Sequence, residues 1–157
     1  MCGMGTDTQS LEPDRGIITG NCHLFPLRIF YEDTDLSGMV YHANYLRYCE
    51  RARSSLLGLL GIDQRAALEA GEGNYTVAEA NMRFFAPAGL DDSLKVQTRC
   101  VELKSASVRL AQEVLRGEDL LVDVQVRVGF VGPNGRPRRQ PQAWRDAFAE
   151  FFAKENE

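Results

Sequence analysis

Between residues 44 and 60 the apolar positions fall at 45, 46, 48, 49, 52, 56, 57, 59 and 60. This is the i, i+3, i+4, i+7 recurrence of a helix with one broad buried face. Gly61 stands where such a helix commonly stops. The pattern differs on either side. Residues 23–31 are mostly aromatic or aliphatic and contain Pro26, which a helix interior rejects, so they predict a strand. Residues 34–40 carry Asp, Ser and Gly without periodicity and predict a sharply turning loop into the helix. Beyond a polar, glycine-containing stretch at 69–74 lie four β-rich segments, at 77–85, 93–103, 107–116 and 120–131. Their separators are Pro87-Ala88-Gly89 with Asp91-Asp92, then Lys104-Ser105, then Gly117-Glu118-Asp119. All are too short for parallel crossovers, so the four segments read as an antiparallel meander. Residues 133–137 end it, and 143–154, with Trp144, Ala147, Phe148, Phe151 and Phe152, predict a short amphipathic helix. Residues 1–22, poor in large apolar side chains as far as Gly20, read as a loose tail, leaving 23–157 as a single domain. One strand, one long buried helix and a meander make an α+β plan in which the sheet curls round the helix.

Composition narrows the classes of function. A chain of 157 residues buries its own core without disulfide or metal staples. No apolar run approaches the roughly 20 residues of a membrane-spanning helix, which argues against an integral membrane protein. A net charge of −4 gives no general pull toward nucleic acid, and the one basic cluster is Arg136-Pro137-Arg138-Arg139. Cys2, Cys22, Cys49 and Cys100 lie far apart, with no Cys-x-x-Cys pair to suggest a zinc or redox centre. Reduced thiols and a start without a basic, then apolar leader predict a cytoplasmic protein.

The chemistry concentrates in 31–53. A strand that ends near a carboxylate, a glycine turn and then a helix start bring an acid beside oriented backbone N–H groups. The first turn of a helix has unpaired donors and about half a positive charge, both suited to the oxygen of a tetrahedral intermediate. We assign that task to the backbone N–H at or beside His42. The segment from Tyr31 to Arg53 also resembles the signature of the 4-hydroxybenzoyl-CoA thioesterase family of hotdog proteins, and most closely its YbgC-like, Tol-Pal-associated branch. The likeness rests on Asp33-Thr34-Asp35, Gly38, Val40-Tyr41-His42-Ala43-Asn44-Tyr45 and Glu50-Arg51-Ala52-Arg53. Weaker agreement continues through Phe84-Phe85-Ala86-Pro87-Ala88 to Arg136-Pro137-Arg138-Arg139.

The resemblance implies an antiparallel sheet wrapped around a long central helix, and hydrolysis of acyl-CoA to free acid and CoA without metal or organic cofactor. It places Asp35, His42 and Tyr31 in the site. Asp35 either attacks the thioester carbon or activates a water, the two options the family leaves open. Asp33 is read as a turn residue. Glu50, with Arg47 at i−3 and Arg53 at i+3, is read as a helix-surface ion pair. Arg138 and Arg139 are assigned to the phosphates of CoA, whose charge suits guanidinium forks. The acyl chain is expected to enter between the central helix and apolar residues of a neighbouring subunit, with Phe84 and Phe85 as candidates. A homodimer joined edge to edge is expected, with a dimer of dimers preferred, and an acyl-carrier protein stands beside CoA as a carrier of the substrate.

Two rivals are weaker. Asp33-x-Asp35-x-Ser37-Gly38 matches the first half of an EF-hand calcium loop, but the twelfth position is Asn44 where a bidentate Glu belongs, and the entering segment reads as a strand. A non-hydrolytic acyl binder, a dehydratase or an envelope-associated interaction protein on the same fold is the other; a binder is expected to lack Asp35.

Overall fold

The structure, a computed structural model, describes residues 11–154. Cys2 and much of the expected tail lie outside them. The elements in chain order are β1 (Ile17–Thr19), β2 (Cys22–Arg28), α1 (Asn44–Leu59), α2 (Gln64–Glu69), β3 (Asn74–Phe84), β4 (Ser93–Leu103), β5 (Ser107–Arg116), β6 (Asp119–Val131) and α3 (Gln142–Ala153). A single 3-10 turn, Tyr31–Asp33, sits between β2 and α1.

Antiparallel pairing joins the strands in the order β1-β2-β4-β5-β6-β3. Along β4, β5 and β6 buried and less buried positions alternate, so one face of each strand closes on the core. Tyr45, Tyr48, Cys49 and Ala52 of α1 pack on Leu94, Val96, Val114, Val122 and Val124. Leu56 and Leu57 pack further along with Leu110, Val126, Val128 and the α3 side chains Trp144, Phe148 and Phe151. This is the expected α+β hotdog plan, a sheet closed on a central helix.

Three expectations about the path of the chain are corrected. The meander holds for β4, β5 and β6, but β3 does not pair with β4; it forms the far edge beside β6, with Phe84 opposite Val122. Crossing from β3 to β4 covers three strand spacings, about 14 Å, within the roughly 27 Å reach of residues 85–92. That segment is pinned on the way: the N–H groups of Phe85 and Ala86 donate to the Leu121 carbonyl, and Val40 N–H donates to the Ala88 carbonyl. Its turn residues therefore make a crossing, not a hairpin. Next, the strand predicted at 23–31 ends at Arg28, because the Asp33 carboxylate takes the Phe30 N–H at 2.7 Å and winds 31–33 into the 3-10 turn. Finally, Ile17–Thr19, placed in the loose tail, is a strand paired with residues 22–24, Thr19 lying opposite Cys22 across a tight turn. α2 had no helical signal of its own; at six residues it is too short for periodicity, and its start is capped by Asp63, whose carboxylate accepts the Ala66 N–H.

A buried polar cross-link holds α1 to the sheet. Gln112 and Thr98 are fully buried; the Gln112 amide donates to the Cys49 carbonyl at 3.0 Å and to the Thr98 hydroxyl at 3.1 Å, and accepts from Arg53 at 3.0 Å. All the groups involved are thereby partnered, which removes the desolvation penalty that burial would impose. At its end α1 closes in a Schellman arrangement: Ile62 N–H donates to the Leu57 carbonyl and Gly61 N–H to the Gly58 carbonyl, with Gly61 at φ +76°.

Gln112→Leu is expected to lower the unfolding free energy by about 2 kcal/mol, read from urea denaturation, because it leaves the Arg53 guanidinium and the Cys49 carbonyl without their partner. Gly61→Ala is expected to cost about 1 kcal/mol by the same measurement, from backbone strain alone, since an added Cβ there meets nothing within 4 Å.

Candidate active site

The loop between β2 and α1 is a small hairpin. Asp35 N–H donates to the Met39 carbonyl at 2.9 Å, Gly38 N–H returns to the Asp35 carbonyl at 3.0 Å, and Thr34 bridges Val40. Gly38 takes φ +81°, a conformation that suits glycine. The Asp33 main chain holds both ends: its carbonyl accepts Tyr41 N–H at 2.9 Å and the Asn44 side-chain amide at 2.9 Å. Asn44 is buried, and its own oxygen accepts from Arg47.

Asp35 sits on this hairpin exposed to solvent. One carboxylate oxygen takes the hydroxyl and the N–H of Ser37, as in an Asx turn. Those bonds, the hydroxyl first, hold the Asp35 carboxyl below its ordinary value, and the nearby His42 ring adds a smaller pull in the same direction. The group is therefore ionised at neutral pH and keeps one oxygen free.

His42 lies just before α1. Asn44 and Tyr45 N–H groups are satisfied by short-range bonds to the Tyr41 and His42 carbonyls. The N–H groups of His42 and Ala43 find no acceptor among the described residues, so they are free donors at the positive end of the helix. The His42 ring is near enough to act on the Asp35 charge, although Asp35 itself does not line the cavity. The His42 ring lines a cavity of about 350 Å³ with Val40, Tyr45, Phe84, Phe85, Ala86 and Pro87. Its edge meets the Phe84 ring at a centroid distance of 6.3 Å. That volume falls in the range of small-molecule sites. Phe84 and Phe85, expected from a neighbouring subunit, line the pocket in the same protomer as His42, and each remains more than half exposed.

The other assignments divide. Tyr31, in the 3-10 turn, is 84% exposed and does not line the cavity. Arg138 donates to the Glu72 carbonyl at 2.8 Å and pairs its N–H with the Phe130 carbonyl. Phe130 lies eight residues along β6 from Val122, the partner of Phe84, or about 26 Å. Within one protomer neither Arg138 nor its neighbour Arg139 is brought to the His42 pocket. Glu50 makes no ion pair with Arg47 or Arg53: it accepts from the Ser54 hydroxyl, while Arg47 turns to Asn44 and Arg53 to Gln112. The loop is entered from a strand and a 3-10 turn, which removes the EF-hand reading.

Three further side chains, Asn44, Asp92 and Tyr45, support the site. For Asn44 the sequence offers one signal, a polar side chain at the first buried position of an apolar helix face. Asp92 accepts the Gly89 N–H at 2.8 Å and Arg116 at 2.9 Å, which bring its carboxyl below the usual range and fix the segment behind the pocket. Tyr45 adds to the same support by accepting the Ala88 N–H through its hydroxyl. No periodicity announces such contacts, because each joins segments far apart in sequence.

Comparisons with known proteins agree with this site. The family model described as Thioesterase superfamily matches residues 37–122. The chain is 36% identical over 121 residues to the acyl-CoA thioester hydrolase YbgC of Escherichia coli O6:H1, spanning 76% of this chain and 90% of the relative. A crystal structure of a probable thioesterase from Bartonella henselae superposes with a TM-score of 0.72 at 35% identity, covering 76% of this chain and 99% of that one. A 1,4-dihydroxy-2-naphthoyl-CoA thioesterase from Synechocystis shares the fold, with a TM-score of 0.77 at 23% identity over 82% of this chain and 96% of its own. With the helix-start donors, the loop carboxylate and the apolar pocket in place, this chain belongs to the thioesterase superfamily.

Proposed function

We propose that the protein hydrolyses the thioester of acyl-CoA, releasing the free acid and CoA. The observation that carries this reading is the pair of unpaired N–H groups at His42 and Ala43, set at the start of α1 beside an ionised Asp35. The thioester oxygen docks against those donors, where the charge of a tetrahedral intermediate is stabilised as it develops. The acyl group enters the cavity beside Phe84 and Phe85. Asp35 serves as nucleophile on the carbonyl carbon or as base for the attacking water; both uses need the ionised carboxylate that Ser37 secures. Collapse of the intermediate expels the CoA thiolate; where Asp35 is the nucleophile, a water then cleaves the resulting acyl–Asp35 anhydride to release the acid and restore the carboxylate. His42 exchanges a proton with the reacting groups, and Tyr31 offers its phenol from the rim.

A protomer alone leaves this site open. Tyr31, Leu36, Met39, Tyr41, Phe84 and Phe85 expose apolar surface around it, and β3 is an edge strand with a row of unpaired backbone groups. A second copy joined across β3 covers both, which supports a homodimer and, with further exposed surface to bury, a dimer of dimers. Contacts of Arg138 and Arg139 with the CoA phosphates then come from a different protomer than the one supplying His42. Acyl-carrier protein remains a second carrier for the same thioester. No helix among the described residues is long and apolar enough to cross a membrane. The buried free thiols of Cys22, Cys49 and Cys100 suit the reducing cytoplasm in which acyl-CoA is found.

The reading is tested with a panel of acyl-CoA esters. Asp35→Asn and Asp35→Ala are each expected to lower kcat by about 10³-fold or more, with the fold intact by circular dichroism; an asparagine variant with full turnover removes Asp35 from the mechanism. His42→Ala is expected to lower kcat by about 10²-fold, and an effect confined to stability returns the imidazole to a packing role. Because the Ser37 bonds depress the Asp35 carboxyl, activity that needs it ionised persists as pH falls through the ordinary aspartate value and fails only below it. Ser37→Ala raises that carboxyl, so the acid limb of the kcat/KM profile moves to higher pH.

A further inference from the structure

α1 packs mainly on β2, β4 and β5, and the short α2 meets β3, whose inward face stays partly open. Val77, Met82 and Phe84 point to that face, because the register sets them opposite the buried Val128, Val124 and Val122. Val77 and Phe84 remain about half exposed. An apolar strip therefore leads away from the His42 pocket along the outer strand. Near its far end lies a second cavity, of about 150 Å³, between Leu56 and Leu57 of α1, Val77 and Val128 of the sheet, and Phe148 of α3. The charged groups on its lining, Glu50 and Arg53, already have partners in Ser54 and Gln112. The cavity is thus suited to an apolar occupant.

Its distance from the reacting centre sets the size of that occupant. Glu50 and Leu57 mark the span of the cavity on α1, about 12 to 22 Å beyond His42 at the helical rise per residue. An extended chain advances about 1.2 Å per bond, so about ten to eighteen bonds reach it from a thioester carbon held at His42. An acyl group of one aromatic ring ends in the first pocket and leaves the second without a role. α3, which closes the far end through Phe148, lies outside the segment matched by the family model, so this wall is a feature of the chain's own C-terminal part.

We propose that the acyl chain runs from His42 along β3 and ends in the cavity against Phe148, which makes medium- to long-chain aliphatic thioesters the substrate class and α3 the element that limits their length. This rests on the acyl-CoA thioesterase reading. A second copy joined at the β3 edge, as proposed above, borders the open strip.

The test measures kcat/KM for straight-chain acyl-CoA esters from four to twenty carbons and for benzoyl-CoA, using the full chain, Val77→Trp and Phe148→Ala. For the unaltered protein, kcat/KM is expected to rise by about fourfold per methylene to a maximum between ten and eighteen carbons. Val77→Trp, which fills the cavity from a half-exposed strand position, is expected to lower the ratio of the fourteen-carbon to the six-carbon ester at least tenfold. Phe148→Ala is expected to move the maximum upward by two or more carbons; should it fail to fold, Val77→Trp decides. A flat profile, a maximum at six carbons or fewer, a preference for benzoyl-CoA, or an unmoved ratio in Val77→Trp overturns the proposal while leaving thioester hydrolysis standing. Failure to hydrolyse any ester overturns both.

Discussion

The site depends on one backbone oxygen, the Asp33 carbonyl, which accepts the Tyr41 N–H and the buried Asn44 amide together. Those two bonds fasten the foot of the Asp35 hairpin to the start of α1. The Asp33 side chain fastens the same residue to the end of β2 through the Phe30 N–H. Strand, Asp35 loop and helix therefore meet at a single joint. If it opened, the carboxylate and the helix-start donors would move independently, and a displacement of about 1 Å is enough to reduce catalysis substantially. Buried hydrogen bonds suit this task better than apolar packing, because they specify direction as well as distance.

Behind the joint the core supplies rigidity. α1 carries apolar side chains onto two successive clusters of sheet residues, while Gln112 binds the helix backbone at Cys49 and the Arg53 side chain from below. The crossing at 85–92 is tied to β6 through Leu121, to the loop through Val40 and to β5 through Arg116. Both walls of the His42 pocket are thus attached to the sheet. By contrast, the outward side of the site is unfinished in a single protomer, where aromatic side chains and an edge strand face solvent together. Burial of that apolar surface would favour association through the face proposed to bind substrate.

Much of the fold was legible because α1 and the strands β4, β5 and β6 are long and periodic. Their bounds differ from those predicted by no more than a residue. The hidden parts were those governed by contacts between distant segments. Hairpin-like turn chemistry at 87–92 looks the same whether the chain folds back at once or crosses two strands, so the place of β3 was hidden. Ile17–Thr19 carries too short a signal to declare itself a strand without β2 beside it. At the site, the motif drew attention to Asp35 and His42, but not to Asn44 or Asp92, whose partners lie in other parts of the chain.

By itself the sequence determined the long helix α1, the strands β4, β5 and β6, the acid next to a helix start and the family to which that spacing belongs. Local rules suffice for these, since side-chain period and turn chemistry act over a few residues. Only the tertiary structure decided that β3 is the outer strand, that Arg138 braces the 71–72 turn in place of lining the His42 pocket, that Glu50 pairs with Ser54, and that α3 closes a second cavity along α1. Each follows from which surfaces meet when the core packs, and the packing of residues far apart in the chain is settled jointly by shape, burial and hydrogen-bond satisfaction.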